Sequence, residues 1–157
     1  MTILSKSVFA NQGPFIEFAD CPRRLIDDEF SYPSRSRFEE YVFHEMTDEL
    51  LGTYCSVTNS CSPIDPYEFV QLDNPYEIRK LASEFLMWAY QMSRAGQTEF
   101  TKQVSEYGFY EDTRRVRYQS NFDGEHLRLD MIETLLMLVG RLCKIAQAKR
   151  CLVIAGI

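Results

Sequence analysis

Long apolar runs are missing from this sequence, as are the glycine clusters and histidine patterns that often carry chemistry. No stretch approaches the roughly 18 consecutive apolar residues that a membrane-spanning helix needs. Glycine accounts for 7 of 157 residues and is nowhere clustered, so there is no G-x-G-x-x-G turn and no phosphate-cradling loop. Neither of the 2 histidines belongs to an H-E-x-x-H pattern, and no G-x-S-x-G elbow is present. Proline is sparse too, at 6 residues, and there is no internal repeat or low-complexity segment. The recognisable hydrolytic and nucleotide-binding classes therefore find no support.

The five cysteines, Cys21, Cys55, Cys61, Cys143 and Cys151, are scattered and odd in number. A secreted disulfide scaffold would show an even, denser set. Cys55 and Cys61 stand six apart, which matches no strong zinc spacing. Reduced thiols, some of them buried, are expected. Reactivity at Cys55 would need a neighbourhood that lowers its pKa, which sequence does not display. The opening MTILSKSVFANQG has no basic flank ahead of its apolar residues and no apolar run of signal length. The expectation is a soluble, cytoplasmic protein.

What is present points to a folded core. Apolar residues make up 45% and aromatics 13%, enough to exclude disorder along the whole chain, and the 25% of charged residues is ordinary for a globular protein. The 157 residues suit one domain spanning 1–157. Net charge is −6 but unevenly spread. Residues 1–78 hold 14 acidic and 5 basic side chains, a balance of −9, against 9 acidic and 12 basic, or +3, in residues 79–157. Such polarity can steer a partner.

Residues 1–35 read as an irregular segment. Within it, Phe15, Ile16 and Phe18 allow a short strand after the Asn-Gln-Gly-Pro turn at 11–14, and Pro22 could open a brief helix. Ser36 and Glu39 form a capping box, and Phe38, Val42, Met46 and Leu50 then make one ridge, which predicts a helix over 36–52 ended by Gly52. Residues 53–72 form a long loop with a strand-like YEFVQL, a place to look for a binding surface. A second helix starts at the Asn74 cap with Pro75 in its first turn and ends at Ala95-Gly96, burying Ile78, Leu81, Ala82, Phe85, Trp88, Ala89 and Met92. A shorter helix is predicted over 98–107, and 109–122 reads as helical turn or strand. The longest helix covers 123–150, with apolar residues around about half its circumference, the sign of a centrally packed element. Gly140 there would admit a close neighbour. CLVIAGI closes the chain as a turn or a strand. The predicted architecture is a mainly α, single-domain bundle of three firm helices and one shorter one. A small peripheral sheet from the N-terminal segment, 67–72 or 115–120 is compatible with it.

Glu40, His44 and Asp48 fall four apart and, on the 36–52 helix, would lie opposite its apolar ridge. His126 and Asp130 point away from the Leu-rich face of the last helix in the same way. A carboxylate–histidine metal site would need these groups turned inward, so no metal and no cofactor is expected, and a metal-dependent enzyme is the third reading. Arg114, Arg115 and Arg117 beside Tyr118 and Phe122 combine charge with stacking surface, which suits single-stranded nucleic acid. The acidic total and neighbouring Glu111 and Asp112 oppose phosphates, so this reading ranks second. The leading expectation is a non-catalytic module, of inhibitor, accessory or adaptor type, that binds another protein. Glu40, His44, Glu45, Asp48, Tyr67 and Phe69 are its candidate contacts. No membrane partner is expected, and a homodimer is compatible with the composition.

Overall fold

A computed structural model describes residues 15–26, 40–94 and 125–156. In chain order the elements are β1 (Phe15–Cys21), β2 (Val42–Thr47), α1 (Asp48–Thr58), β3 (Phe69–Leu72), α2 (Pro75–Arg94), α3 (Glu125–Gln147) and β4 (Cys151–Gly156). The four strands form one antiparallel sheet in the order β2-β1-β4-β3. This is an α+β fold and corrects the expected helical bundle: the sheet is central to the core, not an appendage to it.

The correction starts at residues 40–47, which are turn and strand where a helix was expected. A spacing of four approximates one helical turn, so Val42, Met46 and Leu50 mimic a helical ridge; in the strand an extra residue turns Val42 to the opposite sheet face from Met46. The deciding residues are Tyr41, Val42 and Phe43, a β-branched and aromatic run that favours a pleated surface. The helix begins instead at Thr47, whose hydroxyl accepts a hydrogen bond from the Leu50 N–H at 3.1 Å. It runs through Gly52 and stops at Asn59, a left-handed residue whose N–H reaches the carbonyls of Cys55 and Ser56. The expected 53–72 loop is thereby shortened to 59–68, since 53–58 is helix and Phe69–Leu72 is strand. No helix follows Pro22 over residues 22–26. The expected helix at 98–107 and the 109–122 segment lie outside the described residues.

One sheet face packs on the helices. Ile16, Phe18, Met46, Leu152 and Ile154 share a core with Leu50 and Tyr54 of α1, the apolar face of α2, and Met131, Leu135, Leu138 and Leu142 of α3. Rings join the layers: Phe18 meets Phe85 edge-on at 6.2 Å, Phe85 meets Trp88 at 5.6 Å, and Trp88 stacks on Tyr54 at 5.6 Å. The Tyr54 hydroxyl donates to the Met131 carbonyl at 3.0 Å, which ties α1 to α3. The opposite face carries a smaller cluster of Ala19, Cys21, Leu25, Cys151, Val153 and Ala155. With both faces covered, β4 reads as an unbroken apolar run.

The second predicted helix is α2. The Asn74 side-chain oxygen accepts from the Tyr76 N–H at 2.9 Å, and all seven expected core residues are buried. The third is α3, although its apolar arc is wider than its buried one: Leu136 is 48% exposed and Cys143 is exposed. Gly140 lies on that outer side, and among the described residues nothing stands within 4 Å of where a Cβ would sit, so none of them is the expected close neighbour. Gly140→Ala should therefore stabilise the fold by about 0.5–1 kcal/mol through helix propensity alone, read from a denaturant midpoint.

Candidate functional site

Order in the 59–68 segment comes from short polar residues. The Ser62 hydroxyl and the Ile64 backbone bond each other in both directions, the Asp65 carboxylate accepts from the Tyr67 N–H at 2.9 Å, and the Glu68 N–H reaches the Asp65 carbonyl. The segment is then laid against the sheet by Gly156, whose N–H donates to the Glu68 carbonyl at 3.2 Å. A Cβ on residue 156 would stand 1.7 Å from the Pro66 carbonyl oxygen. Only glycine permits this approach.

Together the segment, β3 and α2 enclose an open cleft of about 280 Å³. Ile64, Val70, Leu72, Leu81 and Ile154 form its apolar floor. Asp65 and Glu68 from the segment, with Glu77 and Glu84 from α2, line the rest, and Lys80 is the one basic residue in the wall among the described residues. Glu77, Lys80 and Glu84 share one flank of α2 because they are three and four residues apart. Among the described residues none of the four carboxylates is held in an ion pair. The cavity falls just below the roughly 300–1,000 Å³ range of small-molecule pockets and is open, so it accommodates one or two side chains better than an enclosed ligand.

Behind β3 the sheet is closed off. The Gln71 amide donates to the Leu25 carbonyl at 2.9 Å and accepts from its N–H at 2.7 Å, and Arg24 lies 3.7 Å from Asp73. β3 is an outer strand of the sheet and β2 is the other.

That layout separates the residues singled out from sequence. Tyr67 and Phe69 are 75% and 42% exposed beside the cleft, whereas Glu40, Glu45 and Asp48 belong to the β2 side. Glu40 is exposed, and Glu45 and Asp48 are half-buried. His44 is not on the surface at all. It stands opposite Phe18 on the helix-facing side, 5% exposed, its ring 6.1 Å from the Phe18 ring. A bulge between Phe18 and Ala19 leaves Phe43 as the extra residue on β2 and turns it to the same core. The Arg141 guanidinium covers the Phe43 ring at 5.4 Å. Burial in this apolar site pushes the His44 pKa down to about 4, and its Nε2 has no hydrogen-bond partner among the described residues. Glu40, His44 and Asp48 thus share no face, and the outward-facing helical arrangement expected for them is corrected. Among the described residues no three His, Cys, Asp or Glu side chains are grouped to hold a metal ion. Arg114, Arg115, Arg117, Tyr118, Phe122 and the His126 side chain lie outside the described residues. No described helix is long and apolar enough to cross a membrane.

The cleft carboxylates went unmarked in sequence because they converge from two elements. The 53–72 region is flagged there, but none of the four carboxylates is singled out. The available signal is the Glu77–Lys80–Glu84 flank lying next to an acidic loop. Comparison with protein-family models, curated proteins and solved structures finds no match to this chain.

Proposed function

We propose that the protein is a non-catalytic binding module that takes a basic, extended segment of another protein into the cleft between β3 and α2. The carrying observation is the pairing of an apolar floor with four carboxylates that have no ion-pair partner among the described residues. A segment with lysine or arginine flanking one apolar side chain meets both features: the apolar group covers Val70 and Leu81, and the cations approach Glu77 and Glu84. The exposed rings of Tyr67 and Phe69 extend the contact on one side. Phosphate-bearing partners are disfavoured at this site by its charge. The −9 balance of residues 1–78 supports attraction of a basic partner from a distance.

Selection of displayed random peptides on the immobilised protein should enrich lysine- or arginine-rich segments with an apolar residue between the cations. Glu77→Lys combined with Glu84→Lys should weaken the selected peptides by about 10-fold or more, since exposed charge pairs each contribute up to about 1 kcal/mol and reversal turns attraction into repulsion. Binding should also weaken as salt rises. Enrichment of acidic or charge-free peptides, or affinity unchanged by the double reversal, would refute the assignment.

A further inference from the structure

The last pair of the β1–β4 ladder sets Cys21 directly opposite Cys151. Both thiols are free and buried, at 0% and 2% exposure, and both belong to the cluster on the sheet face away from the helices. We propose that Cys21 and Cys151 are a redox-convertible pair that closes into a cross-strand disulfide when the protein meets a low-molecular-weight disulfide such as oxidised glutathione.

Geometry carries the proposal. Directly opposed residues of antiparallel strands have Cα atoms about 4.5–5.5 Å apart, inside the roughly 4.4–6.8 Å that a disulfide spans. Their side chains leave the same face of the sheet, so the sulfurs can be joined without any change of strand register. The other cysteines do not share this arrangement: Cys143 is exposed on α3, and Cys55 and Cys61 flank the end of α1. Position also governs access. Cys21 ends β1 and Cys151 begins β4, so opening the final rung exposes both sulfurs without unfolding the sheet. Burial raises both thiol pKa values, Cys21 to about 12, so reaction is confined to the opened state and is slow. The Arg150–Asp20 ion pair beside the rung opposes that opening.

The exchange balances. One opened thiol loses its proton, and its thiolate attacks a sulfur of glutathione disulfide, displacing one glutathione thiolate. The second protein thiolate then attacks the protein-side sulfur of the mixed disulfide and displaces the other glutathione. Two protein S–H bonds are replaced by one S–S bond, and the oxidant leaves as two thiols carrying the two electrons and two protons.

The full chain, incubated with excess oxidised glutathione in the presence and absence of sub-denaturing urea, is alkylated and mapped by mass spectrometry. The urea arm accelerates opening, so slow entry cannot imitate failure. The expected product is a peptide pair linked through Cys21 and Cys151 that also forms in a Cys55→Ser/Cys61→Ser/Cys143→Ser variant and disappears on reduction. Because the bond closes a loop of most of the chain, the oxidised form should melt at least about 5 °C higher. Three results would each overturn the proposal: a Cys55–Cys61 link with Cys21 and Cys151 still alkylated, stable glutathione adducts on Cys21 or Cys151, or both thiols unmodified in the urea arm.

Discussion

Gly156→Ala is expected to lower stability by about 3 kcal/mol and to detach the 59–68 segment from the end of β4. The added methyl would occupy space 1.7 Å from the Pro66 carbonyl oxygen and 2.5 Å from its carbon, and neither atom can turn aside as a flexible side chain could. Overpacking of this kind costs about 1–3 kcal/mol. Displacing the segment also breaks the Gly156–Glu68 hydrogen bond, a further loss of about 1 kcal/mol. Urea denaturation of both proteins measures the difference. The same change moves Asp65 and Glu68 away from Glu77 and Glu84, so peptide affinity should fall together with stability. The opposite sign at Gly140→Ala, where no described residue lies within 4 Å of the added methyl, makes the two substitutions a matched pair.

Acidification from pH 6.5 to about 4 is expected to destabilise the protein through His44. In the unfolded chain the imidazole takes its proton near its ordinary value of 6.5, while the folded site, by burial alone, holds it neutral down to about 4. Above pH 6.5 both states are neutral and His44 adds no pH dependence. Between 6.5 and 4 the unfolded state binds the extra proton, so stability falls as pH falls, by about 3 kcal/mol across the window. Below 4 both states are charged and the contribution levels off. His44→Leu puts an apolar side chain against Phe18 and has nothing to titrate. Its stability difference from the parent should grow from about 1 kcal/mol at pH 7.5, the cost of a buried nitrogen without a partner, to about 4 kcal/mol at pH 4. A constant difference over that range would mean that His44 is solvated in the native protein.

Legibility of the fold varied with the kind of signal each element carried. α2 was readable because cap, first-turn proline and a 3.6-residue apolar period all agree from Asn74 to Met92. β1 was readable from Phe15, Ile16 and Phe18. β4 was ambiguous because an apolar run buried on both faces has no period to read. β2 is hidden by Val42 and Met46, whose spacing of four continues to Leu50 and predicts a helix, and on that helix His44 faces solvent where the strand buries it. Without β2 the sheet loses an outer strand, and a helical bundle is the architecture that remains. Of the site, sequence pointed to the 53–72 region and to Tyr67 and Phe69, but the carboxylates meet only through tertiary folding: Asp65 and Glu68 come from a loop, Glu77 and Glu84 from a helix.

An NMR titration of the isotopically labelled chain with a short peptide of alternating lysine and valine tests the binding reading most directly. Amide shifts that saturate with peptide and cluster at residues 64–72 and 77–84, while the β2 side around Glu40 and Asp48 stays unmoved, are the expected result. Saturable shifts centred on the β2 side, or none in the cleft at millimolar peptide, would contradict it.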